Sequence, residues 1–344
     1  MIKNKNITVV ICLYNAENYI KETLESIKNQ SFKDFKILII DDKSKDNSLN
    51  VCKNYLEKNF TDFRVIELEE NRGTAYARSL ALNEVDTELM MFFDADDIAK
   101  PEMIETLYNK INENENFICV SCHSKYIDMK GNKISGGQYI GPTTELEFKN
   151  KASDGKLIFM LPPTLFRLSY AKEAGGYRQD GFPKNSKIRY QDLSEDLDMW
   201  SRVSDFYIDN KVMITVPKVL FYYRKNTSSL SASKDSLIAM QNKIRFIKTN
   251  LKRRRQNIEE LTFIQFMENQ TSKDKLKNWF KDMSAHYYRK AGFLYVEKKY
   301  FSFLLNITLS VILNPFYLID NKRFKFNCLS YDSMESLIEE IFSS

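Results

Sequence analysis

The first third of the chain alternates between short apolar runs and amphipathic stretches, and this alternation restricts the possible fold more than any other feature. Residues 7–13 read Ile-Thr-Val-Val-Ile-Cys-Leu, a continuous run typical of a strand buried on both faces. The periodicities predict strands at 7–13, 35–40, 63–68 and 88–93, and helices at 17–30, 48–55 and 74–83. This β-α-β order implies parallel strands with right-handed crossovers, and therefore an open, doubly wound, mostly parallel α/β sheet.

The rest of the chain has two parts. Between 124 and 192 Gly, Pro and Ser are frequent and the periodic signal is weak, which predicts short strands and loops. A helix at 193–203 and a strand at 218–224 follow, and long helices are expected beyond residue 231. The predicted organisation is a domain of residues 1–230, with halves 1–123 and 124–230, and a C-terminal helical region of residues 231–344.

Composition restricts the class of protein. With 344 residues, 43% of them hydrophobic, the chain can bury a large core, and a net charge of +5 is too small to indicate nucleic-acid binding. Five cysteines, an odd number, and the lack of a signal sequence before the first strand favour a cytoplasmic protein with reduced thiols. Cys119 to His123 spell the haem-attachment pattern C-x-x-C-H, but they continue an apolar run that predicts a core strand at 117–122.

Polar clusters follow each of the four predicted strands. In open α/β sheets, ligands bind at the carboxyl ends of the strands, which adjacent parallel strands bring to one edge. The candidate binding residues at these ends are Tyr14, Asn15 and Glu17; Asp41 and Asp42; Asn71, Gly73 and Arg78; and Asp94, Ala95 and Asp96.

The run Asp94-Ala95-Asp96-Asp97 is the centre of the predicted site. Its carboxylates can hold Mg²⁺ or Mn²⁺, either through Asp94 and Asp96 or through Asp96 and Asp97, and leave positions open for phosphates. A cation there would neutralise a diphosphate leaving group. The alternative is a polar loop in which Asp97 caps a helix near Lys100-Pro101.

Four motifs together resemble the inverting family 2 glycosyltransferases of the GT-A fold, a Rossmann-like architecture. They are V-V-I-C-L-Y-N-A-E at 9–17, I-I-D-D-K-S-K-D at 39–46, N-R-G at 71–73 and D-A-D-D at 94–97, and the resemblance covers roughly residues 7–230. The resemblance implies a nucleotide-sugar site in which Tyr14, Asn15 and Glu17 hold the base and Asp41 or Asp42 reads the base edge. It implies that Asn71, Gly73 and Arg78 contact the base or the diphosphate. It also implies that Asp94 with Ala95 contacts the ribose and that Asp96, more than Asp94, binds the metal.

A second acidic segment is the candidate for the base. Inverting transfer needs a group that deprotonates the acceptor hydroxyl opposite the leaving diphosphate. Residues 191–200 resemble the family's E-D segment before a helix, which makes Asp196 the candidate base, Glu195 an acceptor contact and Asp192 the chief competitor. Because the helix dipole also favours carboxylates at a helix N-terminus, a purely stabilising role stays open.

One position departs from the family pattern. Residues 222–229 resemble a motif in which many relatives carry Tyr-Arg-x-His, and Asn226 stands where that His would fall. If the His helps to bind metal or diphosphate, its role is weakened or moves to Arg224, Lys225 or Ser228.

The C-terminal region leaves three alternatives open. Residues 300–319 contain no charged residue, and the basic run 252–255 lies upstream, most simply as a solvated helix face. The segment is a helical hairpin packed on the catalytic domain, an interfacial segment on anionic lipid, or a transmembrane helix. Its Ser, Thr, Asn and Pro residues weigh against the last alternative.

The sequence thus predicts an inverting, metal-dependent glycosyltransferase that moves a sugar from a UDP-sugar to a glycan or lipid-linked glycan in bacterial surface-polysaccharide synthesis. We expect it in the cytoplasm or on the inner membrane surface, without a nucleic-acid partner. A sugar-1-phosphate nucleotidyltransferase would need a Gly-rich basic loop after strand one. Residues 14–17 of this chain read Y-N-A-E and contain neither glycine nor a basic residue. A non-catalytic glycan-binding subunit would not need Asp94, Asp96 and Asp196.

Overall fold

The computed structural model describes residues 6–184, 186–225, 234–296 and 299–315. The strands in these ranges are β1 Ile7–Leu13, β2 Phe35–Asp41, β3 Phe63–Glu67, β4 Leu89–Phe92, β5 Ile98–Ala99, β6 Phe117–Ile127, β7 Lys133–Gln138, β8 Leu165–Arg167 and β9 Val212–Arg224. The helices are α1 Ile20–Lys28, α2 Ser48–Asn59, α3 Thr74–Glu84, α4 Met103–Asn112, α5 Glu145–Ser153, α6 Leu168–Glu173, α7 Glu195–Val203, α8 Lys234–Arg255, α9 Phe263–Glu268, α10 Ser272–Val296 and α11 Tyr300–Leu313. Two 3-10 turns lie at Tyr190–Asp192 and Ser204–Asp209.

The predicted parallel half of the sheet is confirmed. β3, β2, β1 and β4 lie side by side in this order and pair in parallel. Ile7, Val10 and Leu13 of the central strand β1 are fully buried, as its continuous apolar run predicts. Because the four strands run in one direction, the loops that follow them emerge at one edge of the sheet.

The other half of the sheet is mixed. β8 pairs antiparallel with β4 and β6, and β6 pairs in parallel with β9. Both β6 and β9 are longer than the sequence predicts. Cys122 pairs with Val216 whereas the next residue, His123, pairs with Val219, so Pro217 and Lys218 are left out of the ladder. This bulge lets β9 continue past a residue that would otherwise end the strand.

The expectation that Asp97 caps a helix is wrong. The helix after the acidic run is α4, which begins at Met103 with Glu102 at its N-cap. Asp97 is buried ahead of β5, where its carboxylate accepts the backbone N–H of Arg224 at 2.9 Å. Burial raises the pKa of this carboxyl group. Asp97 therefore binds the end of β9 to the acidic run through this hydrogen bond.

The helices α8 and α9 pack on the α/β domain. Their shared apolar core consists of Phe182, Leu197, Phe246, Ile247, Phe263 and Phe266. Arg254 and Arg255 both pair with Asp205, and Arg254 and Arg178 both pair with Glu260. The interpretation of the basic run as a solvated helix face is therefore wrong, because half of it forms ion pairs at this interface.

The helices α10 and α11 form a hairpin that is joined to α8 by an ion pair between Asp282 and Arg245, 2.7 Å apart. Within the described ranges, none of the helices has both the length and the apolar character needed to cross a membrane. Residues 316–319 of the predicted apolar segment and the predicted domain boundary near 230 lie outside the described residues.

Candidate active site

The loops that follow β1 and β2 are hydrogen-bonded to each other. Asn15 has a left-handed backbone, with φ of 49°, and its side-chain oxygen accepts the N–H of Lys45 at 2.8 Å. The carboxylate of Glu17 accepts the N–H of Asn47 at 2.8 Å. Asn15 and Glu17 thus shape the loop, whereas Tyr14 exposes 42% of its surface beside it. Tyr14 is the residue of the three whose ring is accessible for stacking on a base.

The two acidic residues at the end of β2 have different partners. The Asp42 carboxylate accepts the N–H groups of Arg72 at 2.6 Å and Gly73 at 2.9 Å, and the side-chain amide of Asn71 at 2.9 Å. Burial raises the pKa of Asp42. Asp41 accepts one backbone N–H, and its Oδ1 atom is buried without a hydrogen-bond partner among the described residues. Asp42 therefore holds the loop after β3, and Asp41 keeps an unused acceptor.

The loop after β3 is covered by residues from the second half of the domain. Asp192 accepts the N–H of Ala75, in the first turn of α3, at 2.9 Å. Gly73 has φ of 91°, and a Cβ atom there would lie 2.1 Å from Asp192 Oδ2. Arg189 donates to the side-chain oxygen of Asn71 at 2.6 Å and to its carbonyl oxygen at 2.9 Å. The segment that precedes α7 therefore lies directly on the predicted nucleotide loop.

Arg78 joins the predicted donor side of the cleft to the predicted base side. Its Nη2 atom lies 3.4 Å from Asp94 Oδ1, and its Nη1 atom lies 3.1 Å from Glu195 Oε1. The guanidinium group is almost fully buried and lies over the ring of Phe92, 5.3 Å from the centroid. The structure thus turns Glu195 toward Arg78. The predicted contact of Arg78 with base or diphosphate stays a prediction.

The acidic residues before and in the first turn of α7 lie in a buried environment. Burial raises the pKa of Glu195 to about 7, although the positive charge of Arg78 acts in the opposite direction. Burial also raises the pKa of Asp196. Asp196 lines a small pocket together with Arg78, Phe92, Pro162, Thr164, Phe166, Tyr177 and Trp200. An Asp whose pKa is raised is a stronger proton acceptor once it is ionised.

The acidic run has a charge pattern that a divalent cation would neutralise. Burial, and then the negative charge of Asp94, raise the pKa of Asp96 to about 6. Asp97 is turned toward Arg224, which leaves Asp94 and Asp96 as the candidate pair for a cation. The part of the chain that the structure describes contains no group of three His, Cys, Asp or Glu side chains that could hold a metal ion. Two carboxylates suit Mg²⁺ or Mn²⁺ when substrate phosphates complete the shell.

The backbone of the acidic run is held from two sides. Thr23 donates its hydroxyl hydrogen to the Ala95 carbonyl at 2.9 Å. Arg224 donates from Nε to the Asp96 carbonyl at 2.7 Å, from Nη1 to the Asp128 carbonyl at 3.1 Å and from Nη2 to Glu22 at 2.6 Å. Arg224 therefore supports the backbone of this loop, and each nitrogen of its guanidinium group already donates to a protein acceptor. The transfer of the role of the missing His to Arg224 stays a prediction.

The remaining positions of that motif are only partly described. Lys225 lies over the ring of Tyr126, 4.1 Å from the centroid. Asn226 and Ser228 lie outside the described residues.

The sequence did not indicate three residues of this cleft. Tyr177 is buried against Phe92 with ring centroids 5.7 Å apart, and Arg189 clamps Asn71. Both fall in the stretch where periodicity is weak, so no local pattern marks them. Trp200 could have been found, because it is one of two tryptophans and ends the acidic segment.

Residues 8–171 match the description Glycosyl transferase family 2. This segment, just under half of the chain, is the part that matches the family. The matched residues carry all four strand-end motifs, which confirms the resemblance drawn from them. They end before Asp192, so the roles given to Asp192, Glu195 and Asp196 depend on the geometry described above.

Curated relatives are similar over the first part of the chain. Glycosyltransferase GlyA of Streptococcus pneumoniae is 35% identical over 132 residues, which are 38% of this chain and 18% of that protein. A teichoic acid poly(glycerol phosphate) polymerase of Staphylococcus epidermidis is 39% identical over 112 residues, which are 33% of this chain and 16% of that protein. The matched part thus spans less than a fifth of the length of either relative.

Solved structures extend the likeness to most of the chain. S. aureus TarS 1-349 in complex with UDP-GlcNAc has a TM-score of 0.52 and 18% identity, with coverage of 91% of this chain and 92% of that chain. The mannosyltransferase PcManGT from Pyrobaculum calidifontis, in complex with GDP-Man and Mn²⁺, has a TM-score of 0.52 and 15% identity, with coverage of 92% and 88%. At these identities the likeness shows the fold, and the predicted GT-A architecture is confirmed.

Proposed function

We propose that this chain is an inverting glycosyltransferase that transfers a sugar from a UDP-sugar to a hydroxyl group of a glycan acceptor, with Mg²⁺ or Mn²⁺ as cofactor. The observation that carries the proposal is the position of Arg78 between Asp94 and Glu195, next to Asp196. This contact brings a candidate metal site and a candidate base into one cleft, and transfer from a nucleotide sugar needs both.

The donor side would bind the nucleotide sugar at the strand ends. Tyr14 offers an exposed ring for the base. Asp41, whose buried Oδ1 atom has no hydrogen-bond partner among the described residues, would read the base edge. Asp94 and Asp96 would hold the cation, which supplies positive charge for the diphosphate when it is bound. Asn15, Glu17, Asp42 and Asn71 would act through the shape of the loops that they hold.

The base side would deprotonate the acceptor. The acceptor oxygen forms a bond to the anomeric carbon as its proton passes to Asp196, and the bond from that carbon to the diphosphate breaks with its electron pair on the diphosphate. Arg78 keeps Glu195 oriented. Its positive charge also offsets the negative charges of Asp94 and Glu195, which would otherwise repel the ionised Asp196. This single displacement inverts the configuration at the anomeric carbon.

The acceptor that we propose is a bacterial surface glycan, free or linked to lipid. One relative is a teichoic acid polymerase, and a structural neighbour binds UDP-GlcNAc, which supports a UDP-sugar donor and a cell-envelope polymer. A sugar-1-phosphate nucleotidyltransferase would release pyrophosphate and would not need the base. A glycan-binding subunit would bind without turnover.

A panel of nucleotide sugars tests the proposal, with Mn²⁺ or Mg²⁺ present and release of nucleoside diphosphate as the readout. We expect release of UDP from a UDP-sugar, and loss of release without loss of donor binding in Asp196→Asn. Asp209→Asn, at an exposed position in the second 3-10 turn, is the matched control. Unchanged transfer by Asp196→Asn would remove the base assignment. If no nucleotide sugar raises the melting temperature of the protein with either metal, the proposal is overturned.

A further inference from the structure

The second helix of the C-terminal hairpin, α11, exposes large apolar side chains and buries two polar ones. The exposed side chains of α11 are Tyr300, Phe301, Leu304, Leu305, Thr308 and Ile312. At about 100° per residue they occupy one arc of roughly 140°, which we call the apolar face of α11. Asn306 and Ser310 lie on the opposite side of the helix and are buried. A helix that packs on a protein in water has the reverse distribution.

The contact between α10 and α11 is made in part by small polar residues. The Ser284 hydroxyl donates to the Ser310 carbonyl at 2.8 Å, and the Ser310 hydroxyl donates to the Ser284 carbonyl at 2.9 Å. Small residues and hydroxyl hydrogen bonds join helices where the surroundings are as apolar as the side chains themselves. The hairpin therefore does not depend on burial of Phe301 or Ile312, which are 83% and 69% exposed.

The other helix of the hairpin, α10, exposes lysines together with one carboxylate, Asp274. Lys273, Lys277 and Lys281 are exposed and follow one another at i, i+4 and i+8, so they share one side of α10. Exposed Leu276, Trp279 and Phe280 lie beside them, with the last two rings 5.1 Å apart. Lysine next to tryptophan, phenylalanine and leucine is the composition of helices that lie in the interface of anionic membranes.

We propose that the hairpin of α10 and α11 docks in the plane of an anionic membrane surface, with the apolar face of α11 in the acyl boundary and the α10 lysines at the lipid headgroups. A second copy of the chain is the competing occupant. Two copies of this surface would bring lysines together, whereas anionic headgroups complement them. The proposal is independent of the proposed transfer reaction, because it concerns surfaces away from the cleft.

Vesicle co-sedimentation tests the docking, with the full chain, no donor and no metal. We expect the protein to sediment with phosphatidylcholine vesicles that contain about 30% of the anionic lipid phosphatidylglycerol, because its negative charge attracts lysines. The double variant Phe301→Ser/Ile312→Ser should bind at least about tenfold more weakly, because both side chains lose their apolar surface for insertion. Leu146→Ser/Ile208→Ser is the control, since these side chains are 69% and 71% exposed on other elements.

A second arm tests the charge. Lys273→Gln/Lys277→Gln/Lys281→Gln should weaken binding to the anionic vesicles by at least about tenfold, and added salt should weaken binding by the wild-type chain in the same direction. Equal binding by the Phe301/Ile312 variant and the wild type, or no sedimentation at all, would overturn the proposal. A concentration-dependent dimer that the Phe301/Ile312 variant abolishes would assign the face to a second copy and also overturn it.

Discussion

The carboxylate of Asp192 accepts a hydrogen bond from the backbone N–H of Ala75 at 2.9 Å, across the cleft between the two halves of the domain. Ala75 lies in the first turn of α3, where unpaired N–H groups attract an anion. A side chain from the opposite half fills this position. Asp192 and Asp196 therefore have different environments. Asp192 caps a helix, whereas Asp196 lines a pocket.

Asp192→Ala should therefore affect stability more than chemistry. Loss of a capping carboxylate costs about 1 kcal/mol of unfolding free energy. Urea unfolding should show this loss, whereas nucleotide release should stay within about threefold of the wild-type rate. Asp196→Asn provides the contrast, with little change in stability and loss of release. Loss of all transfer in Asp192→Ala, at wild-type stability, would make Asp192 the base.

Gly73→Ala should destabilise the chain through both backbone and contact. With φ of 91° the position suits glycine, and the added Cβ would meet Asp192 Oδ2. We expect a loss of about 2–4 kcal/mol, measured by urea unfolding. Gly155→Ala is the control, because φ is 63° there and nothing lies within 4 Å of the added Cβ. The double variant Gly73→Ala/Asp192→Ala should lose less than the two single losses added together, and strict additivity would contradict the contact.

Arg78→Met should leave two carboxylates without their cation. Removing one partner from a buried ion pair costs about 3–5 kcal/mol, and Arg78 has two partners, Asp94 and Glu195. We expect lower stability by urea unfolding and a large loss of nucleotide release. Arg78→Met/Glu195→Gln should recover part of the stability, because one unpaired carboxylate is removed. No recovery in the double variant would show that the Glu195 contact does not stabilise the fold.

The sequence predicts the parallel half of this fold better than the mixed half, for a physical reason. Local patterns mark β1, because a strand buried on both faces is apolar throughout, and glycine marks the turn at Gly73. Contacts between distant segments leave no local pattern. Arg189 on Asn71 and Arg224 on Glu22 each join residues far apart in the chain, and neither pair shows in composition or periodicity.

The same limit applies to the acidic run. The alternation Asp94-Ala95-Asp96 predicts a cation site, and Asp94 lies in the cleft beside Arg78. The alternation does not reveal that Asp97 binds the end of β9, because the N–H that Asp97 accepts belongs to Arg224, far along the chain. The sequence spacing alone therefore could not show that one of the three carboxylates is already bound to the backbone of a distant strand.

Arg224→Lys should loosen the acidic run while it keeps the positive charge. The guanidinium group holds the Asp96 carbonyl, the Asp128 carbonyl and Glu22 at once, and an ammonium group cannot match this fork. We expect about 2–3 kcal/mol lower stability and a higher Mn²⁺ concentration for half-maximal nucleotide release. Arg64→Lys, whose ion pair with Glu84 is exposed, is the control. An unchanged Mn²⁺ requirement at reduced stability would limit Arg224 to a folding role.

Lys243→Met should stabilise the chain, and the gain should shrink as the pH rises. Lys243 is only 1% exposed on α8, with its ammonium group 3.8 Å from the ring centroid of Phe182. Burial lowers its pKa to about 8, and Arg178 and Arg202 act in the same direction, whereas Asp198 and Glu195 oppose it.

The sign of the pH effect follows from this lowered pKa. Below pH 8 the lysine is charged in both the folded and the unfolded chain, so the folded state carries the full cost of the buried charge, about 3 kcal/mol at most. Between pH 8 and 10.5 the folded state loses its proton first, and the stability of the wild type rises relative to that of the variant. Urea unfolding of both proteins at pH 7 and at about pH 9.5 measures the difference, with Lys248→Met on the exposed side of α8 as the control. A gain that stays constant over this range would show that Lys243 is not buried as a charge.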